Sequence, residues 1–381
     1  MPAAQTQNPE KREGLKTSLQ GPVGAVTLIN GKPYDYFGGC GYLGLQSHPE
    51  VLQAAMEAIR QYGLSTATSR GGYGECPVYD ELERQTRTFF DCEQMAYFAS
   101  GYLGAAILIQ ADPSPHDHFF IDADAHFSLW DAAAMSNRTI TPFAHSNPAG
   151  LARSLADELR TGERPILLTD GLFPVSGEIA PLPAYLEQIL PLHGRMYVDD
   201  AHAAGVLGAH GRGSLEHFGI VEDICHACAT FNKALGGFGG FLYGKSKWLE
   251  AIERNSRILA GSSPPPLPAA AASAKAIQVL GSHPELLAAL RANISQARAG
   301  VKELGWEIQP ESPAPILSLP GRDGVNLFKI RDSLFAKGIA VEYVNSYPSA
   351  PAGGTLRLAL FATHTHEQIE RLLVAIRSAL V

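Results

Sequence analysis

The chain has 381 residues, of which 45% are hydrophobic and 18% are charged, and its 30 basic and 38 acidic residues give a net charge of −8. No basic run or basic aromatic stripe is present, which argues against a nucleic acid partner. The sequence also contains no stretch of about 18 apolar residues, the length that a membrane span requires. The first 20 residues lack the apolar core of a signal peptide, so a cytoplasmic protein is expected.

The amino-terminal part, residues 1–45, is predicted to be an arm followed by a hairpin. In AVTLINGKPYDYF two short strand-like runs flank Asn30-Gly31, a dipeptide typical of tight hairpin turns. The next segment, SHPEVLQAAMEAIRQYG, has the pattern of a helix, with Ser47 as its cap, Glu50 completing a capping box and Gly63 ending it.

Residues 46–281 alternate short apolar runs with helix-like segments. The apolar runs lie at 95–98, 119–122, 166–169, 196–198 and 224–231. Each run has the character of a strand that is buried on both faces. Strands that alternate with helices imply a mostly parallel sheet sandwiched by helices, so this part is predicted to be a large α/β domain.

Residues 282–381 are predicted to form a smaller α+β domain. SHPELLAALRANISQARAGVKELG has the pattern of an amphipathic helix with a capping box at Ser282 and Glu285. APILSLP, IAVEYV and TLRLALF are predicted strands, whereas VNLFKIRDSLFAKG and THEQIERLLVAIRSAL are predicted helices.

Polar residues follow one predicted strand after another in the large domain. They are Ser100-Gly101-Tyr102 at a helix start, Asp124 and His126, Asp170, the group Asp199, Asp200 and His202, and finally Lys233. Because ligands of an open α/β sheet bind beyond the carboxyl ends of its strands, these side chains are expected to meet at one edge.

This combination has the chemistry of a pyridoxal phosphate (PLP) site. A lysine among apolar strands is desolvated, which favours the neutral amine that forms a Schiff base with an aldehyde. The phosphate of PLP suits a helix start, its ring needs a stacking partner and its pyridine nitrogen needs a carboxylate. For that carboxylate the residues alone leave Asp199 and Asp200 open.

Several motifs resemble those of the α-oxoamine synthases, fold-type-I PLP enzymes that include 8-amino-7-oxononanoate synthase and glycine C-acetyltransferase. The most specific is YVDDAHAAGVLGAHGRGSLEHFG, followed by Lys233 of TFNKALGG, 34 residues after Asp199. FASGYLGA, DADAHFSLWDA, TDGLFPVSGEIAPL, GSSPPP and LRLALFATHT extend the resemblance over nearly the whole chain after the first 20 residues. The resemblance implies a fold-type-I transferase fold with PLP as cofactor.

The resemblance also implies roles for individual residues. Lys233 would hold PLP as a Schiff base and remove the substrate α-proton, and the family's D-x-x-H spacing selects Asp199 for the pyridine nitrogen. His202 would hydrogen-bond the phenolic oxygen of the cofactor, and His126 would stack on the ring. Phosphate ligands would be Ser100, Gly101, Tyr102 and Thr230, with Ser262 and Ser263 reaching the phosphate of the neighbouring subunit in an obligate homodimer. Arg357 would bind the carboxylate of the amino acid through a bidentate pair.

The implied reaction condenses an amino acid with an acyl-CoA, with loss of CoA and carbon dioxide, to give an α-aminoketone. Cys40 and Gly41 replace an Asn and an Asp of the family, Pro174 replaces a common Ser, and Tyr79 replaces a common His. Because these changes lie around the substrate, cofactor binding is better supported than acyl transfer. The alternatives are another PLP reaction on the same scaffold, an aminotransferase or a retro-aldol lyase, and a catalytically silent subunit, which the presence of Lys233 disfavours.

Three local spacings could suggest a metal, but no metal site is expected. Cys225 and Cys228 lie three apart in one predicted strand and would point to opposite faces. The pairs His116–His118 and His364–His366 have no third ligand in view. The glycine-rich GGFGGF lacks the lysine pattern of a nucleotide-binding loop.

Overall fold

The structure is a computed structural model that describes residues 17–111, 114–221, 223–308, 311–347 and 350–380. Residues 1–16 of the predicted amino-terminal arm lie outside the described residues. No helix in these ranges is both long and apolar enough to cross a membrane.

The predicted amino-terminal hairpin is present. Strand β1 (Val26–Ile29) pairs antiparallel with β2 (Lys32–Tyr36). Both turn residues have positive φ, 50° at Asn30 and 77° at Gly31. This left-handed conformation matches the right-handed twist of the two strands, which is why an Asn-Gly pair predicts the turn.

The central sheet has seven strands in the spatial order β3-β9-β8-β7-β6-β4-β5. In chain order they are β3 (Gln94–Phe98), β4 (Asp117–Asp122), β5 (Ile140–Phe143), β6 (Arg164–Asp170), β7 (Arg195–Asp199), β8 (Cys225–Thr230) and β9 (Gly240–Gly244). All neighbours pair in parallel except β9, which runs antiparallel to both β8 and β3. The mostly parallel sheet and its five predicted buried strands are confirmed, whereas β5 and β9 were not predicted.

Helices cover both faces of this sheet. They are α1 (Pro49–Tyr62), α2 (Pro77–Phe90), α3 (Gly104–Ala111), α4 (Phe127–Met135), α5 (Pro148–Glu158), α6 (Leu182–Ile189), α7 (Ser214–Phe218), α8 (Ser246–Asn255), α9 (Arg257–Gly261) and α10 (Leu267–Ser282). Apolar side chains of α3, α4 and α8 form one core layer with Cys228, and those of α5 and α6 form another with Cys225. The two cysteines therefore lie on opposite faces, as predicted.

The two predicted capping boxes are wrong. Helix α1 has His48 at its cap, and the Ser47 hydroxyl instead donates to Gly44 O (3.2 Å). Ser282 is the last residue of α10, and α11 (Glu285–Glu303) begins after Pro284. The physical reason is proline. Pro49 is the first residue of α1, where its ring presets a helical φ and removes an N–H that would be unsatisfied. Pro284 is itself the cap of α11, with a φ of −62° that its ring presets, so neither helix begins at its serine.

The carboxyl-terminal part contains two sheets rather than one. Its segments are β10 (Ile316–Pro320), α12 (Leu327–Ala336), β11 (Ile339–Ala340), β12 (Glu342–Val344), β13 (Thr355–Ala359) and α13 (His366–Leu380). Strands β10, β13 and β12 form an antiparallel sheet with β13 in the centre. The predicted strand IAVEYV is split, because β11 pairs in parallel with β2 of the amino-terminal hairpin. The hairpin is thereby joined to the carboxyl-terminal part of the chain.

His364 also ties the two ends of the chain together. Its Nε2 donates to Tyr36 O (3.0 Å), its Nδ1 accepts from Phe361 N (2.9 Å), and its ring stacks on Phe37 with centroids 4.2 Å apart. Both ring nitrogens are therefore used in structural hydrogen bonds of the neutral ring. Burial lowers the pKa of His364 to about 4.

This depressed pKa predicts acid sensitivity. The unfolded chain takes up a proton at His364 near pH 6.5, whereas the folded protein takes it up only near pH 4. The contribution of neutral His364 to the free energy of unfolding, about 3 kcal/mol, is present above pH 6.5 and is lost as the pH falls from 6.5 to 4. We expect His364→Gln to be less stable than wild type at pH 7.5 and to lose less stability between pH 7 and pH 4.5, as measured by urea midpoints. Parallel curves for the two proteins would contradict this assignment.

A second contact joins the large domain to β10. Gly177, at φ 70°, lies so close to this strand that a Cβ on it would stand 2.3 Å from the carbonyl oxygen of Ile316. Gly162 has a comparable φ of 87° with nothing within 4 Å of its Cβ position.

These two glycines form a matched pair for measuring the contact. We expect Gly162→Ala to cost about 1–2 kcal/mol for the left-handed backbone alone, and Gly177→Ala to cost about 1–3 kcal/mol more because β10 must move. Urea denaturation of both variants measures the difference. Equal losses of stability in the two variants would show that the loop carrying Gly177 and strand β10 can move apart without a cost in free energy.

Candidate active site

Most of the polar residues predicted to converge lie at the carboxyl edge of the central sheet, whereas Asp124 lies beside His145 in a groove that Glu178 and Arg298 also line. Asp170 and Asp199 end the neighbouring parallel strands β6 and β7 and are paired in register. Thr230 ends β8 and lies opposite Gly240 of β9, which in turn lies opposite Phe98 at the end of β3. The antiparallel β9 thus leaves the ends of β3 and β8 on the same side as those of β6 and β7.

The two aspartates at the end of β7 face different environments. Asp199 accepts from Ala201 N (2.9 Å) and from the Ser128 hydroxyl (3.3 Å), which links it to the loop carrying His126. Asp200 accepts from Ser214 through both the hydroxyl (2.5 Å) and the backbone N (2.8 Å). Burial raises the pKa of Asp200 to about 7. Asp199 is therefore the carboxylate on the His126 side, and Asp200 serves to hold the start of α7.

His126 contacts two aspartates, Asp170 directly and Asp199 through Ser128. Its backbone N donates to Asp170 Oδ2 (2.8 Å), and its ring Nδ1 lies 2.7 Å from the hydroxyl of Ser128. Burial and the neighbouring charge of Asp199 raise the pKa of Asp170 well above its usual range. Burial also lowers the pKa of His126. His126 and Asp199 are therefore linked, beside an Asp170 carboxyl that is shifted towards its protonated form. Ser128, which joins the two, was not predicted.

A hydrogen-bonded chain leads from Arg357 through Tyr42 to His202. Arg357 Nη2 lies 3.3 Å from the Tyr42 hydroxyl, which lies 2.7 Å from His202 Nδ1. Burial raises the pKa of Tyr42 well above its usual range, so the hydroxyl keeps its proton. Burial, with the charges of Lys233 and Arg357, lowers the pKa of His202 well below its usual range. We assign the Tyr42 proton to the bond with Nδ1, because the guanidinium only donates to this hydroxyl, and the proton of neutral His202 is then on Nε2.

Lys233 lies in the loop between β8 and β9. It is half-buried, so the expected enclosure by apolar strands is only partly met. Its charge contributes to the lowered pKa of both His126 and His202 and also acts on Asp170, which places the amine among these three groups. Within the described residues its Nζ has no hydrogen-bond partner. This amine is thus near two neutral imidazoles and open to a ligand.

Four predicted phosphate ligands come together at the start of α3. Ser100 caps a helical turn at Gly101–Leu103, its hydroxyl accepting from Tyr102 N (3.3 Å). A Cβ at Gly101 would stand 2.9 Å from that of Thr230, and a Cβ at Gly240 would stand 2.7 Å from Gly101 Cα. Only glycine allows this approach, and this role of Gly101 and Gly240 was not predicted. The Tyr102 hydroxyl bonds to Asp131, and the Tyr102 ring meets His126 edge-on at 5.9 Å.

The two predicted serines after α9, Ser262 and Ser263, lie in a groove that does not contain the other predicted phosphate ligands. Ser262 donates to Ile258 O (2.6 Å), and Ser262 and Ser263 line a groove of about 450 Å³ together with Arg70 and Glu75. None of the other predicted site residues lines this groove. Within one chain, the structure therefore does not bring these serines to Lys233.

Arg357 is buried in the central strand β13. Its Nε donates to Pro174 O (2.7 Å), and its Nη2 also lies 3.6 Å from Cys40 Sγ. Pro174 and Cys40, two of the positions that depart from the family pattern, thus both contact this guanidinium. Tyr79, a third, donates instead to Pro265 O (2.6 Å) and is buried between α2 and the segment before α10.

The histidine pairs with metal-like spacing have other partners. His118 is hydrogen-bonded to Glu163 and Thr141, both at 2.9 Å, in addition to the contacts of His364 given above. Across the described ranges, no three His, Cys, Asp or Glu side chains form a group that could hold a metal ion.

A sheet of this order, with an aspartate after β7 and a lysine after β8 at one edge, is the architecture of the fold-type-I PLP-dependent transferases, and the fold class predicted from the sequence is confirmed. The chain belongs to the aminotransferase class I and II family, whose model matches residues 39–376.

Individual relatives confirm the resemblance to the α-oxoamine synthases. The chain is 32% identical over 365 residues to the 8-amino-7-oxononanoate synthase of Treponema denticola, which covers 95% of this chain and 92% of that protein. It is 30% identical over 350 residues to the serine palmitoyltransferase of Bacteriovorax stolpii, covering 92% and 83%. A serine palmitoyltransferase variant from S. paucimobilis, solved with a bound PLP–myriocin aldimine, superposes with a TM-score of 0.86 at 26% identity and covers 93% and 89%.

The chain from Arg357 to His202 predicts a single tautomer. In wild-type protein labelled with ¹⁵N-histidine, we expect the NMR signals of His202 to show an unprotonated Nδ1 and a protonated Nε2. Tyr42→Phe removes the donor to Nδ1, so His202 should become a mixture of tautomers with a higher pKa, since that bond stabilises the neutral ring. The control is Tyr79→Phe, which removes a buried hydroxyl that contacts no histidine and should leave the signals unchanged. A protonated Nδ1 in wild type would reverse the assigned direction.

Proposed function

We propose that this chain is a PLP-dependent acyltransferase that condenses an amino acid with an acyl thioester, with loss of carbon dioxide, to give an α-aminoketone. One observation carries the proposal: Lys233, Asp199, His126 and His202 converge at one sheet edge in a chain whose relatives include 8-amino-7-oxononanoate synthase and serine palmitoyltransferase. The acyl donor is proposed to be an acyl-CoA.

The residues present fit PLP. The turn at Ser100–Gly101 and the side chain of Thr230 form a cradle whose close approach a Cβ at Gly101 would block, and the N–H groups at such a helix start suit a phosphate. The amine of Lys233 has no hydrogen-bond partner within the described residues. When bound, PLP supplies an aldehyde for an amine and a protonated ring that accepts the electron pair of a carbanion.

The carboxylate pair would control the ring. Asp199 would face the pyridine nitrogen and keep a proton on it, while burial and the charge of Asp199 shift Asp170 towards its protonated form. Ser128 fixes the orientation of that carboxylate and of the His126 ring at the same time. A neutral His126 offers a flat face for stacking without adding a charge that would repel the protonated ring.

Proton handling falls to Lys233 and His202. The amine of Lys233 would hold the aldehyde of PLP and would take the substrate α-proton. His202 would donate its Nε2 proton to the phenolic oxygen of PLP, a direction set by the donation from Tyr42 to Nδ1. Arg357 would bind the substrate carboxylate until that group leaves as carbon dioxide.

We further propose that the enzyme is a cytoplasmic homodimer with shared sites, divided into parts at 1–45, 46–281 and 282–381. Ser262 and Ser263 line a groove that none of the other predicted site residues lines, which supports a shared site, because these serines would act on the phosphate of the neighbouring subunit. The five cysteines are all free, which fits a reducing compartment.

The proposal is tested with Lys233→Ala. We expect borohydride reduction of the PLP-loaded wild type to attach the cofactor to Lys233, found by peptide mapping. Separate, unreduced samples incubated with glycine, alanine or serine and a series of acyl-CoAs should release carbon dioxide and free CoA in equal amounts. The variant should lose both properties, with activity down at least about a thousandfold, because nucleophile and base are the same residue. The control Lys245→Ala removes an exposed lysine paired with Asp223 and should retain both.

Other products would identify the alternatives. Pyridoxamine phosphate formed from an amino acid alone would identify an aminotransferase, and glycine plus an aldehyde formed from a β-hydroxy amino acid would identify a retro-aldol lyase. Either result without carbon dioxide release contradicts the proposed acyl transfer. A wild-type protein that takes up no PLP would identify a silent subunit.

A further inference from the structure

The guanidinium of Arg357 is saturated by groups of its own chain. It has five N–H donors, and each has an acceptor. The acceptors are Pro174 O for Nε, Gly39 O and Glu342 for Nη1, and the Tyr42 hydroxyl and Cys40 Sγ for Nη2. A substrate carboxylate can therefore bind to Arg357 only by taking the place of one of these groups.

Glu342 is the acceptor that is able to leave. Pro174 and Gly39 contribute backbone carbonyls, the Tyr42 hydroxyl is held by His202, and the Cys40 sulfur is a weak acceptor at 3.6 Å. Glu342 instead contributes a side chain that is 42% exposed, from β12 at the edge of its sheet. It lies directly across from Arg357 in the β12–β13 pair, where opposite charges attract.

The contacts of Glu342 are those that a free carboxylate would make in this place. Its Oε2 accepts from Arg357 Nη1 (2.9 Å), and its Oε1 accepts from the backbone N of Gly39 (2.9 Å). One carboxylate is thus held between a guanidinium and an amide, next to the Tyr42 hydroxyl that contacts His202.

We propose that Glu342 occupies the carboxylate site of the free enzyme and that the amino acid substrate displaces it from Arg357 and Gly39. This inference rests on the proposed function, in which Arg357 binds the carboxylate of an amino acid. Two carboxylates cannot share the Nη1 and Gly39 N–H donors, so the exchange sets the affinity for the amino acid. An amine without a carboxylate makes no such exchange.

The displacement is measured by binding to the PLP-loaded enzyme. Glycine, alanine and serine are titrated beside methylamine, ethylamine and ethanolamine, which lack the carboxylate, and the absorption of the bound cofactor reports binding. If Glu342 occupies the site for about nine-tenths of the time, removing its charge strengthens binding about tenfold. We expect Glu342→Gln and Glu342→Ala to lower the apparent Kd of the amino acids by about tenfold and that of the amines by less than twofold.

Two controls separate this effect from a general change of charge or of folding. Glu303→Gln removes an exposed carboxylate that is paired at 3.9 Å with Arg377, and it should change neither set of ligands. Arg357→Ala combined with Glu342→Gln should abolish the gain for amino acids, because the competed group is gone. Thermal melting of each variant verifies that it is folded.

The proposal is overturned if Glu342→Gln weakens amino acid binding or leaves it unchanged, or if it shifts amino acids and amines by the same factor. The first result would make Glu342 a group that orients Arg357 for the substrate. An enzyme that binds amino acids but releases no carbon dioxide with any acyl-CoA contradicts the proposed acyl transfer, while the comparison of amino acids with amines still decides the role of Glu342.

Discussion

The site depends on two buried aspartates placed side by side. Asp170 and Asp199 end adjacent parallel strands in register, so their side chains emerge beside each other at the same edge of the sheet. Burial and, after it, the charge of Asp199 raise the pKa of Asp170 well above its usual range. The neighbouring groups are arranged around these two side chains. The backbone of His126 donates to Asp170, the Ser128 hydroxyl donates to Asp199, and the charge of Lys233 acts on Asp170.

The substrate side of the site is built where distant parts of the chain meet. Arg357 contacts Gly39, which is 318 positions away in sequence, and Pro174, which is 183 positions away. The pairing of β2 with β11 and the hydrogen bonds of His364 hold the amino-terminal residues against the carboxyl-terminal sheet. Because Tyr42 contacts both Arg357 and His202, one hydroxyl links the carboxyl-terminal sheet to the segment after β7.

Local sequence patterns predicted most of the fold, and the errors have identifiable causes. The five buried strands are runs of apolar residues without breaks, which is how strands covered on both faces look. Strand β5 was missed because it is a short edge strand that contains Pro142, and β9 because it begins in a glycine-rich loop. The serine caps at Ser47 and Ser282 were predicted because a matching pattern was present, but the prolines that follow decide where the helices begin.

By itself the sequence determined the class of site. The spacing of Asp199, His202 and Lys233 on successive strand ends is local information, and parallel strands bring such ends to one edge by their geometry alone. Only the tertiary structure decided which aspartate is on the side of His126, that Ser128 bridges His126 and Asp199, and that Glu342 is hydrogen-bonded to Arg357. Those outcomes depend on which way a side chain leaves its strand and on what a distant segment places opposite it, and neither is encoded in the residues near that position.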